Sequence, residues 1–156
     1  MRATQELYRL QTVDLELDRI RASLESSPLA AAAREAEARV ESLQATLADL
    51  ALARQKLARE VRRLELEAQA ARAEQRRAEE ELYAGGKSGK ELGLLQQRAA
   101  RAASQAEALE TQGLERMEEA ERLEAQQAHL QQSLEWAQEE ASQRRMAREM
   151  ELDELR

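Results

Sequence analysis

The sequence has no cysteine, no phenylalanine and one proline, with five glycines and only 2% aromatic residues. Without cysteine the chain can form no disulfide, hold no thiolate-ligated zinc and offer no thiol nucleophile. A compact domain of 156 residues normally fills its core with aromatics and its turns with glycine and proline, and this composition argues against one. Long apolar runs are also missing. The longest, Leu29 to Ala33, is far too short to span a bilayer. The opening Met1-Arg2-Ala3-Thr4-Gln5-Glu6 is polar, and no secretory apolar region follows it. The expectation is a soluble, cytoplasmic protein that does not enter membranes.

Ala, Leu, Glu, Gln and Arg take the place of the missing types, which is the composition of long helices and coiled coils. Charged residues make up 35% of the chain and the net charge is −7. The charge is uneven. Residues 54–105 carry 12 Lys/Arg against 8 Asp/Glu, whereas residues 1–53 carry 6 against 9 and residues 106–156 carry 6 against 14. The middle of the chain is basic and both flanks are acidic, so a hairpin would carry its basic half toward the tip and could steer an acidic partner there.

Four of the five glycines, Gly85, Gly86, Gly89 and Gly93, fall together. A helix can end at Gly85 or Gly86 in the left-handed conformation. Ser88 and Glu91 then form an S-x-x-E capping box that starts the next helix. Upstream, Val40, Leu43, Leu47, Leu50, Arg54, Leu57, Val61, Leu64, Ala68, Ala71, Gln75, Ala78 and Leu82 alternate at spacings of three and four. Downstream, Leu92, Leu95, Ala99, Ala102, Ala106 and Leu109 keep the same rhythm. A stutter is expected near Gly113, after which Leu114, Met117, Ala120, Leu123, Gln127, Leu130, Leu134, Ala137 and Ala141 resume. Sustained 3/4 spacing predicts a coiled coil, and a short connection makes the two helices antiparallel neighbours.

The expected fold is therefore all-α: a long antiparallel coiled-coil hairpin with a kink or break near Pro28. Its segments are an N-terminal helix (1–27), a first arm (28–83), a tip (84–89) and a second arm (90–156). If Leu82 faces Leu92, Leu57 meets Met117 and Leu64 meets the turn of Leu109. Arg54 and Gln75 at core-type positions would cost stability and help to fix the register. Ser27 is the expected cap of the helix that opens with Pro28. By this pairing Arg156 faces Asp18, so residues 1–17 have no mate. They nonetheless begin a stripe of their own: Leu10, Val13, Leu17, Ile20 and Leu24. That stripe suits another protomer or chain following Arg156.

No catalytic constellation is present. His129 is the single histidine and reads as a solvated flank residue. There is no phosphate-binding loop, and the run Glu115, Glu118, Glu119, Glu121 and Glu124 reads as a solvated face. An enzyme is not expected, and no cofactor is expected in this chain. A basic patch of Arg62, Arg63, Arg72, Arg76, Arg77, Arg98 and Arg101 could track phosphates. Only Tyr83 near it could stack on a base, and single-strand binders normally use several such platforms. Tyr8 and Trp136 are expected as packing residues, although an exposed Trp can anchor a partner.

The tip segment Leu82-Tyr83-Ala84-Gly85-Gly86-Lys87-Ser88-Gly89-Lys90-Glu91-Leu92-Gly93-Leu94-Leu95-Gln96 resembles the hairpin tip of bacterial C4-type zinc-ribbon proteins. Leu109-Glu110, the segment Leu114-Glu115-Arg116-Met117-Glu118-Glu119 and the opening helix Leu7-Tyr8-Arg9-Leu10-Gln11-Thr12-Val13-Asp14 with Leu17-Asp18 are similar to that family as well. Ser88-Gly89 departs from the family's Asn/Pro before Lys-Glu, and the four cysteines are missing. The resemblance implies a coiled-coil arm that would ordinarily precede a zinc ribbon, with zinc entering only through such a ribbon and this sequence a shortened form. It further implies an adaptor or chaperone linked to flagellar or secretion systems, with an alternative sigma factor and, in one lineage, messenger RNA as partners.

The function expected is a non-enzymatic adaptor holding a protein partner, such as a transcription or secretion component. The contact would be the tip (Leu82, Tyr83, Lys87, Lys90, Glu91 and Leu92) or the open N-terminal stripe. The alternatives are a nucleic-acid-binding module using the basic patch, or a purely structural stalk or spacer. A homodimer is compatible with each.

Overall fold

A computed structural model describes residues 2–155. Three helices account for nearly all of them: α1 (Arg2–Glu25), α2 (Pro28–Tyr83) and α3 (Gly89–Glu154). The chain divides into two compact units, Met1–Leu47 with His129–Arg156, and Ala48–Ala128.

In the unit Ala48–Ala128, α2 buries Leu50, Leu57, Leu64, Ala68, Ala71 and Ala78, while α3 buries Ala99, Ala102 and Ala106. Every heptad position expected on α2 in this unit is buried or half-buried, Arg54 and Gln75 included. Small side chains on both helices toward the tip let the backbones approach closely. Arg54 donates a hydrogen bond to Gln127 across the pair, so the two polar core residues satisfy each other. That partner lies about two turns beyond Ala120, the residue that a Leu57–Met117 pairing would set opposite Arg54.

The stutter expected on α3 does not occur. α3 is continuous, Gly113 is buried, and Leu114 beside it is 63% exposed. Met117 is likewise on the exposed side. Counted from Leu109, a step of four reaches Gly113, and steps of three and four lead on to Arg116 and the half-buried Ala120. The heptad is unbroken, but two successive seam positions hold glycine and arginine. Arg116 leans out to Glu60 of α2 at 3.1 Å. Gly113 leaves a groove of about 830 Å³, walled by Leu64, Ala68, Leu109 and Leu114.

In the other unit, Ala30, Ala33 and Ala36 of α2 are buried, as are Ala137 and Ala141 of α3. Arg145 reaches Glu37 at 3.9 Å. The break before Pro28 is a capped helix start. The Ser27 Oγ accepts the Ala30 N–H at 3.1 Å, and the Ser27 carbonyl accepts the Ala31 N–H at 3.1 Å. The same hydroxyl donates to the Glu151 carboxylate of α3 at 3.1 Å, which explains why this serine is buried. Arg34 closes the end of α1 by donating to the Glu25 carbonyl at 3.1 Å. Pro28, which has no N–H to offer, sits where a helix needs none. No residue of α1 is buried.

Candidate functional site: the hairpin tip

The tip is built by local backbone chemistry. α2 ends at Tyr83, and Gly85 (φ 80°) and Gly86 (φ 73°) take left-handed conformations that side-chain-bearing residues resist. The Ser88 Oγ accepts the Glu91 N–H at 3.2 Å, and the Ser88 carbonyl accepts the Leu92 N–H at 3.0 Å. Both helix ends at the turn are therefore fixed by sequence-local groups.

This turn sorts the six tip candidates into two sets. Leu82 and Leu92 are half-buried and close the end of the seam. Tyr83, Lys87, Lys90 and Glu91 are exposed. Tyr83 is the extreme case at 84% exposure, so it does not serve as a cap on the coil. It borders a shallow depression with Arg76, Glu79, Glu80 and Ala84.

The basic patch is partly neutralised. Arg72 grips Glu110 across the helices with two parallel bonds, 2.8 Å from Nε and 3.0 Å from Nη2. That bond holds the Glu110 carboxyl below the usual range and raises the guanidinium. Arg98 pairs with Glu74 at 2.8 Å and Arg63 with Glu67 at 3.3 Å. Arg62, Arg76, Arg77 and Arg101 are exposed and make no ion pair among the described residues. The Arg116 guanidinium is also raised, by its hydrogen bond to Glu119 and by Glu60.

Of the other residues singled out in the sequence, His129 is exposed, as expected. Tyr8 (73%) and Trp136 (64%) are exposed too, which corrects their expected packing role. The face from Glu115 to Glu124 is exposed apart from the half-buried Glu119 and Ala120 and Leu123 of the seam. The Arg72–Glu110 clasp and the Gly113 groove were not anticipated. Counting the heptad through Gly113 would have revealed the groove. The clasp depends on cross-helix register, which spacing within one helix does not reveal.

Together these features define an antiparallel coiled-coil hairpin with a tightly capped turn. Residues 10–156 match the CT398-like coiled coil hairpin domain, and the chain belongs to that family. No curated protein and no solved structure matches it. No helix among the described residues is long and apolar enough to cross a membrane.

Proposed function

We propose that this protein is a non-enzymatic cytoplasmic adaptor that holds a protein partner at the hairpin tip. The observation that carries this reading is Tyr83, an aromatic side chain 84% exposed at the end of α2, beside the turn that Ser88 caps. Aromatic anchors dominate many interfaces. Lys87 and Lys90 follow it through the turn, both exposed, and would steer an acidic surface toward the tip. The resemblance of the tip to zinc-ribbon family hairpins supports a transcription or secretion component as partner. Zinc belongs to this reading only through a ribbon outside this sequence.

The shortage of stacking platforms favours a protein partner over nucleic acid: the exposed Tyr83 stands alone beside a patch in which Arg63, Arg72 and Arg98 already face carboxylates and Arg62, Arg76, Arg77 and Arg101 do not. The test is partner capture by the Tyr83→Ala/Lys90→Ala protein against the unaltered one, with helicity followed by circular dichroism. Capture should be lost while helicity stays the same. Unchanged capture would sink the tip reading, and binding that collapses steeply with salt and follows added RNA would replace it with the nucleic-acid one.

A further inference from the structure

We infer that α1 is a self-association helix, joining copies of this chain through a parallel, in-register coiled coil over residues 9–24. The apolar residues Leu10, Val13, Leu17 and Ile20 are 61%, 51%, 45% and 41% exposed, and Leu24 is half-buried. Their spacing is three, four, three and four, so the leucines occupy the a positions and Val13 and Ile20 the d positions of one seam. Most helical stability in proteins comes from packing such a face, and nothing among the described residues buries this one.

The charges beside the seam select both the partner and its direction. The g positions flanking the seam are Arg9 and Glu16, and the e positions are Asp14 and Arg21. In a parallel pair, a g residue meets the e residue five positions on in the other strand. Arg9 then meets Asp14 of a second copy, and Glu16 meets Arg21 of that copy. Both contacts are attractive, and symmetry repeats each one. All five apolar layers are retained.

An antiparallel pair brings e against e and g against g. With Leu17 opposite Val13 of a second copy, Glu16 faces Glu16 and Asp14 faces Asp14. Sliding one heptad relieves those repulsions but strands Leu10 against the Ser27 break and leaves Arg9 without a partner. The parallel arrangement alone satisfies every flank and every layer. None of these four charged residues is in an ion pair among the described residues, so they are available for it. Leucine at a with β-branched residues at d favours more than two strands. Such a bundle would gather several hairpins and raise the avidity of whatever they hold.

The test uses the full chain and light-scattering mass. The mass should be roughly three or four times the 17.7 kDa of one chain, and removal of residues 2–25 should reduce it to that of a single shortened chain. Glu16→Arg alone should dissociate the assembly, and so should Arg21→Glu alone. The double swap within one chain should restore it. Because the chain has no cysteine, Val13→Cys gives a clean readout of direction. Oxidation should link Val13→Cys chains to one another through this position. A monomeric mass for the unaltered chain at high micromolar concentration would overturn the proposal and leave the α1 face to some other protein. An assembly that survives loss of α1, or that forms no disulfide at position 13, would overturn it equally.

Discussion

Gly113→Ala should stabilise this protein. Gly113 lies inside an α-helix, its φ is not positive, and it is buried against the seam. An added Cβ would meet nothing within 4 Å. The backbone gain of alanine over glycine in a helix interior is about 1 kcal/mol, part of it through a less disordered unfolded chain. With no packing neighbour that close, the methyl adds little by contact, so the expected gain is about 1 kcal/mol, which corresponds to roughly 2–4 °C in Tm for a chain of this size. Thermal unfolding followed at the helical dichroism band is the assay. Gly85→Ala is the internal control, since φ there is 80° and alanine should cost about 1–2 kcal/mol. If Gly113→Ala lowered Tm, the seam would need a bare backbone at this position and the open groove described here would be wrong. If both variants behaved alike, backbone conformation would not be the reason for either glycine.

Three other outcomes follow from the same structure. Ser27→Ala removes the cap of α2 and the tie to Glu151, and should cost about 1–2 kcal/mol in urea unfolding. Arg54→Leu with Gln127→Leu replaces a polar pair in a half-buried seam by apolar contact, and should raise Tm by an amount corresponding to about 1 kcal/mol or more. The Glu110 carboxyl is lowered by Arg72, so its contribution is present above the ordinary glutamate pKa of about 4.3 and is lost as pH falls through the lowered folded value. Glu110→Gln should therefore lower stability slightly near neutrality, where the pair is intact but exposed, and make no difference below the lowered folded value, so that the acid side of a stability–pH series is shallower.

The parts of the fold that local chemistry decides were legible in the sequence. Ser27-Pro28 marks a helix start because serine caps and proline fits the first turn, and Ser88 marks another. The α2 seam was legible because almost all of its positions are apolar or alanine. The Gly113 region was misread because glycine at a seam position carries no apolar signal, while Leu114 and Met117 beside it do. Their hydrophobicity suggested a shift of phase that the continuous backbone does not make. Tyr83 was ambiguous for a different reason: the same side chain can close a coil or stand free of it, and only its exposure separates the two. The pairing of Arg72 with Glu110 needed the register of one helix against the other, which no single-helix period contains.

The most direct test of the adaptor reading is photo-crosslinking in the protein's own cell, with a photoreactive phenylalanine analogue replacing Tyr83. The same analogue at Leu66, exposed on α2 outside the turn, provides the comparison. The account predicts a discrete crosslinked protein from position 83 that is absent from position 66 and is lost when Lys90→Ala is added. Identical products from both positions, or none from position 83, would contradict a tip that holds a partner.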